Sequence, residues 1–279
     1  MKIGIFAKTF VRPTLEDTLD AVAAHGIPSV QFNMACAGLP SMPDEISAEL
    51  AGRTRAAHAA RGIQMAAVSG TFNMIHPDPA VRDAGLRRLG VLAGAARAMG
   101  TGLITLCTGS RDPQDMWRRH PDNDLPDAWQ DLTASLERAL TLAEQHDVTL
   151  GFEPEVANVI DTAAKGRRLL DEMRSPRLKV VFDAANLFRA GDLARMPQVL
   201  GEAFDLLGGD IVLAHAKDLS RDGKAGHQAA GTGLLDYDLY PKLLRQYGYV
   251  GPLVLHGLEE SQVGAAVSFL QGKLSHALV

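Results

Sequence analysis

A closed (β/α)8 barrel, the TIM barrel architecture, is the fold predicted by this 279-residue sequence. Three observations predict it. Short β-rich runs alternate with longer Ala/Leu/Arg-rich amphipathic runs from one end to the other, the mark of repeated βα units feeding a parallel sheet. Eight such pairs fit within the chain, whose length lies in the usual range for this barrel. No G-x-G-x-x-G follows any predicted strand, which counts against an open dinucleotide-binding sheet.

In chain order the predicted strands are KIGIFA (2–7), SVQFNM (29–34), IQMAAVSG (63–70), GLITLCT (102–108), VTLGFE (148–153), LKVVFD (178–183), DIVLAHA (210–216) and PLVLH (252–256). Each precedes a turn. The first helix reads TLEDTLDAVAAHG, with Thr14 as N-cap and Gly26 as its stop; DPAVRDAGLRRLGVLAGAARAMG is closed in the same way by Gly100. DAWQDLTASLERALTLAEQH and DTAAKGRRLLDEMRS supply further helices. No Pro/Gly/Ser-rich linker interrupts the series, so residues 1–279 are read as one domain. Two connections are long, 109–125 and 217–235, and loops of that length in a compact domain are usually functional or mobile.

At 46% hydrophobic and 22% charged residues the chain can bury a substantial core. A net charge of −5 and a pI near 6.0 give no broad attraction for a phosphate backbone, so nucleic acid is a poor partner. Only Cys36 and Cys107 are present, too few for a disulfide framework or a Cys-rich zinc module, and a reducing cytoplasm is the expected location. The N-terminal MKIGIFAKTF has too short an apolar run for a signal peptide, and no segment approaches the ~20 apolar residues that span a bilayer.

Chemistry in such barrels gathers where the C-terminal ends of the strands surround one mouth. The final or near-final residues of strands five to eight are Glu153, Asp183, His215 and His256, separated by 30, 32 and 41 residues. Each step is about one βα unit, which brings four potential metal ligands side by side. Two carboxylates and two imidazoles suit Zn, Mn, Co or Ni better than magnesium, which prefers an all-oxygen shell. Each residue alone is equally readable as a loop cap or a partner for a backbone donor.

The motifs LGFEPE, KVVFDAANL, LAHAKD and YVGPLVLHGLEE, with SGTFNMIHPD in the third unit and CTGSRDPQDMW in the fourth, resemble the sugar phosphate isomerase/epimerase family. These are the xylose isomerase-like TIM barrels, which also include endonuclease IV, and the resemblance runs over essentially the whole chain. It implies metal binding by a Glu after strand five, an Asp after strand six, a His after strand seven and usually a second Glu after strand eight. Those positions are Glu153, Asp183, His215 and His256, so the chain departs from the pattern at His256. An imidazole still ligates metal and exchanges a proton near neutral pH, and it is preferred here over Glu259, three residues on. The resemblance also implies a substrate-binding or outer-partner role for Asn186, in a DxxN pattern; a helix N-cap is the other reading.

Further candidates at the mouth are His76, able to bond a sugar hydroxyl, and Trp117, able to wall the carbon face of a sugar. Their alternatives are a turn histidine and a surface anchor. Lys217 and Asp218 are candidate polar contacts to substrate, or a salt-bridged loop base. Glu155 is a candidate outer partner orienting a ligand or lysine. Arg221, Lys224 and His227 form either an anion site or a solvated loop. The expected function is a metal-dependent isomerase or epimerase of a sugar or small hydroxy-carbonyl compound, working through an enediolate with Glu153 as base and His256 or a bound water returning the proton. A degenerate barrel that binds metal or polyol without catalysis, a dehydratase, and an endonuclease IV-like phosphodiesterase are the alternatives. The segment PQDMWRRHP is a candidate contact for a homo-oligomer.

Overall fold

Successive side chains of a β-strand point to opposite faces, so in a closed barrel every second residue faces inward. The computed structural model describes residues 1–276 and places eight parallel strands in that arrangement. They are β1 (Ile3–Phe6), β2 (Ser29–Phe32), β3 (Gln64–Ser69), β4 (Leu103–Cys107), β5 (Thr149–Glu153), β6 (Leu178–Asp183), β7 (Ile211–Asp218) and β9 (Leu253–Leu255). Closure comes from β1 pairing with both β2 and β9, and from β7 pairing with both β6 and β9. A two-residue strand, β8 (Gln228–Ala229), pairs antiparallel with the end of β7.

Eight helices lie outside: α1 (Leu15–Ala24), α2 (Ala48–Ala60), α3 (Pro79–Met99), α4 (Pro126–Gln145), α5 (Ala163–Met173), α6 (Met196–Leu207), α7 (Tyr240–Gln246) and α8 (Val263–His276). Thr14 caps α1 by accepting from the backbone N–H of Asp17. Gly100 ends α3 at φ +107°, a conformation that side-chain-bearing residues avoid. Among the described residues, no helix is long and apolar enough to cross a membrane.

The main core lies between strands and helices, built from residues such as Phe32, Phe152, Phe182 and Leu200. A second apolar cluster, Ala67, Val181, Leu213 and Val254, comes from four of the strands themselves. Two residues further along the chain from each stand Ser69, Asp183 and His215 on their strands and His256 just past the end of β9. Period-2 alternation therefore stacks a polar layer on an apolar floor.

The structure corrects the reading of residues 217–235 as loop. Strand β7 runs two residues past its expected end, and Lys217 and Asp218 pair with Ala229 and Gln228. Strand β9 is shorter than expected, ending at Leu255, so His256 is the first residue beyond it; its N–H is still held by the carbonyl of Ala216 at 3.2 Å.

One buried group outside the mouth has a measurable consequence. His58 on α2 shares its Nδ1 proton with the carbonyl of Thr54 at 2.8 Å, and its Nε2 is buried without a hydrogen-bond partner against Phe32. Burial lowers its pKa; the Thr54 bond opposes this, and nearby Arg61 adds to the lowering. The unfolded chain takes up a proton near the ordinary histidine pKa of ~6.5, while the folded chain resists it. Stability contributed by neutral His58 is thus full above that value and is lost as pH falls through the lower folded pKa. Urea titrations from pH 7.5 to 5 should show a shallower acid loss in His58→Leu than in the unmodified protein; parallel curves would refute the assignment.

Candidate metal centre

Register places the principal groups. Asp183 at the end of β6 is the direct partner of His215 on β7, and His215 is level with Val254 on β9, so His256 stands two residues higher. Nδ1 of His215 lies 3.5 Å from Glu153 Oε1 and 3.6 Å from Asp183 Oδ2. One ligand atom each from Asp183, His215 and His256 falls within 4.8 Å of the others. The two imidazoles stack with centroids 5.0 Å apart, and Phe6 meets the ring of His256 edge-on at 5.1 Å.

These residues fit a divalent cation. Nδ1 of His215, Nδ1 of His256 and Oδ2 of Asp183 are buried atoms with no hydrogen-bond partner among the described residues, although Lys217 Nζ faces Asp183 Oδ2 at 3.0 Å as an ion pair. Donors about 2.1 Å from a tetrahedral ion sit about 3.4 Å apart, close to the spacings of the His215 nitrogen from both carboxylates. A carboxylate and imidazole set of this kind suits zinc and its neighbours in the transition series.

Electrostatics separates the two histidines. Burial alone would lower the pKa of His215, but Glu153 and Asp183 outweigh it and push the group up to about 9. His256 goes far the other way, through burial first and then the charges of Lys217 and His215. Burial opposes the charge on Asp183, yet Lys217 and His215 hold its carboxyl well below the usual range. For Lys217 the burial penalty is overcome by Asp183 and Glu153, which keep the ammonium charged. Glu155, buried beside Glu153, is pushed up to about 8.

The centre opens into a cavity of about 530 Å³ whose wall includes Asn33, Ser41, Ser69, Thr71, Thr105 and Trp117. Glu153, Glu155, His215, Lys217 and His256 also line it. A neighbouring cavity of about 490 Å³ shares Phe6, Lys8 and His256 with it and contains His227 and Glu259. Trp117 is 47% exposed, and Met116 beside it lines the larger cavity with its sulfur 3.7 Å from Cys107 Sγ. Most of the candidate segment for self-association thus belongs to the loop that walls the cleft.

The remaining candidates take the following places. Asn186 donates from Nδ2 to Glu153 Oε1 at 2.7 Å and accepts from the Gly226 N–H at 2.9 Å, so it fixes the carboxylate. His76 has both ring nitrogens engaged, with the Asp78 N–H at 3.0 Å and the Pro113 carbonyl at 3.2 Å; it staples the start of α3 to the following loop. Asp218 occupies the face of β7 opposite to Lys217 and turns away from the cleft. Its Oδ1 accepts from the N–H groups of Leu219 and Leu235 at 2.9 Å, and its Oδ2 from those of Gly231 and Gly233 at 3.0 Å. A side chain at residue 233 would overlap that carboxylate, which explains the glycine. Glu259 caps the short turn Glu260–Gln262 in a reciprocal capping box with Gln262. Arg221, Lys224 and His227 are exposed, with His227 Nε2 3.0 Å from Ser220 Oγ.

Sequence reasoning missed two contributors. Gln31, at an inward position of β2, reaches His215 Nε2 at 2.7 Å. Tyr240 is fully buried and donates to the carbonyls of Phe182 and His215 at 3.2 and 3.0 Å, binding together the ends of β6 and β7. A glutamine inside a short buried strand was the one visible signal.

A carboxylate and imidazole cluster at the C-terminal mouth of an eight-stranded parallel barrel defines a class of barrels with a candidate metal centre. The chain belongs to the xylose isomerase-like TIM barrel family, whose model matches residues 19–272. A xylose isomerase domain protein from Planctomyces limnophilus superposes with a TM-score of 0.77 at 21% identity, over 99% of this chain and 97% of that one. D-psicose 3-epimerase from Clostridium cellulolyticum H10, solved with D-tagatose, gives 0.74 at 18% identity, over 98% and 99%. The IOLI protein, solved with a bound zinc atom, gives 0.73 at 13% identity, over 99% and 98%. No curated protein matches the chain by sequence.

Proposed function

We propose that the protein is a metal-dependent isomerase or epimerase acting on a sugar or small hydroxy-carbonyl compound. The observation that carries this reading is the convergence of Glu153, Asp183, His215 and His256 beneath a cleft rich in hydroxyl and amide side chains. Asp183, His215 and His256 would hold the cation, with Glu153 at its edge. When bound, a divalent cation stabilises the negative charge of an enediolate formed from a carbonyl and its neighbouring hydroxyl.

Glu153 is the base in this reading. Its side chain is 15% exposed, lines the cleft, and has one oxygen fixed by Asn186, which leaves the other for a substrate C–H. His256 is held neutral by its surroundings, so it resists taking up a proton and is suited to ligate a cation rather than to act as an acid. The return of the proton therefore falls to Glu153 itself or to water, in place of the two-carboxylate relay that a second Glu would provide. Trp117 and Phe6 offer apolar faces to the carbon skeleton, and Ser41, Ser69 and Thr105 offer partners to its hydroxyls. The zinc in the IOLI structure and the sugar bound by the psicose epimerase are in keeping with this reading.

Deuterium incorporation from heavy water into free keto-sugars, measured beside elemental metal analysis, tests it. About one divalent transition metal per chain and exchange at a single carbon are expected. Glu153→Gln should lower exchange by on the order of 10²-fold or more with metal retained, the usual contribution of a positioned base. Unchanged exchange would remove Glu153 from the role. Bound metal without exchange in any keto-sugar would leave a binding protein.

A further inference from the structure

We infer that Gln31 is a positioning residue that fixes the proton of His215 on Nε2 and so presents Nδ1 as the ligating nitrogen; the inference rests on the metal centre proposed above. The geometry is specific. Gln31 lies on β2, and β1 and β9 separate it from His215 on β7, so its side chain bridges the barrel interior rather than a neighbouring strand. Its oxygen sits 2.7 Å from His215 Nε2. Its nitrogen is directed at Thr105 Oγ1 (3.2 Å) and Ser69 Oγ (3.4 Å), from β4 and β3. All four residues are almost completely buried.

An amide oxygen only accepts and an amide nitrogen only donates. With the two hydroxyls accepting from Nε2 of Gln31, its oxygen is left for His215, and the imidazole must carry hydrogen on Nε2. A cation that displaces the Nδ1 proton then meets a lone pair aimed at the space bounded by Glu153 Oε1 and Asp183 Oδ2, where Nδ1 has no hydrogen-bond partner. Ligating histidines commonly donate their second N–H to such an outer partner, which fixes ring and tautomer. An uncharged amide performs this task here without adding a third carboxylate beside Glu153 and Asp183. In this orientation Ser69 and Thr105 accept from the amide nitrogen; the opposite orientation would present an N–H to Nε2 of His215 and drive the ring proton onto Nδ1.

The test is zinc affinity, by competition with a chromophoric chelator, in the unmodified protein, Gln31→Leu and Gln31→Glu, with ¹⁵N-histidine NMR of the apo and zinc-loaded forms. His215→Ala assigns the resonance. Gln31→Leu should bind zinc 10- to 100-fold more weakly while remaining folded, the usual effect of removing an outer partner. Gln31→Glu, which restores an acceptor, should recover most of that loss. The zinc-loaded unmodified protein should show His215 protonated at Nε2 and metallated at Nδ1. Equal affinity in all three proteins, tighter binding by Gln31→Leu than by Gln31→Glu, or metallation at Nε2 would each overturn the inference. If the unmodified protein bound no zinc, the metal reading itself would fall, and the apo spectrum would still show separately whether Gln31 holds the proton on Nε2.

Discussion

Asp183→Asn should abolish metal binding and with it any enediolate chemistry. The substitution keeps the volume and the acceptor oxygen that caps the Ala185 N–H at 3.0 Å, but removes the charge at the centre of the cluster. Outer partners of a metal site are typically worth 10–100-fold in affinity. A charged ligand drawn from the middle of the set should cost more, on the order of 10³-fold. A second effect accompanies it: Lys217, buried 3.0 Å from the lost carboxylate, keeps its charge without its nearest partner. Breaking one side of a buried ion pair commonly destabilises by about 3 kcal/mol or more, so the variant should also melt earlier. Metal analysis and denaturant titration on one preparation separate the two effects. Full metal content in Asp183→Asn would reject the proposed centre outright.

The second large effect is expected at Asp218, a residue that touches neither the cleft nor the cluster. Its carboxylate gathers four backbone N–H groups from Leu219, Gly231, Gly233 and Leu235. Asn in its place can accept on one oxygen only and turns an N–H₂ group towards two donors. Hydrogen bonds to charged groups contribute roughly 1.5–3 kcal/mol each, and the loss should come to about 3–5 kcal/mol of unfolding free energy. Because the loop it ties follows directly on Lys217 at the end of β7 and carries the Gly226 contact to Asn186, exchange should fall in parallel. A change below about 1 kcal/mol would mean that the loop is organised by other contacts.

How much of this was legible beforehand follows from the physics of strands. Period-2 alternation and strand-end placement are local, so Glu153, Asp183, His215 and His256 could be read from the strand ends to which they belong. Ending β7 at residue 216, as the sequence suggests, puts Lys217 and Asp218 together in the loop, whereas the strand runs to 218. Had the strand been extended to 218, the same alternation would have turned Lys217 inward and Asp218 outward. Gln31 was beyond reach for a different reason. Its bond to His215 spans 184 residues of sequence and crosses the barrel interior, and no periodicity records which inward residues meet across a closed sheet. For His76 a turn histidine before proline and a sugar-binding histidine look alike in sequence, and only the two occupied ring nitrogens favour the turn.

The segment after β7 has the length of a mobile lid, yet it is fastened throughout. Besides the Asp218 contacts, Gly223 donates to the Phe188 carbonyl at 2.8 Å, and Asp222 accepts from the N–H groups of Gly191 and Leu193. Fixing a residue in one backbone conformation costs on the order of 1–2 kcal/mol in entropy. A disordered segment of this size would impose that loss on every binding event and weaken affinity accordingly. Here the ordering is completed when the chain folds, so a small polar molecule entering the proposed site would meet a wall already in place, and discrimination between stereoisomers would rest on fixed positions rather than on a loop that adapts to each.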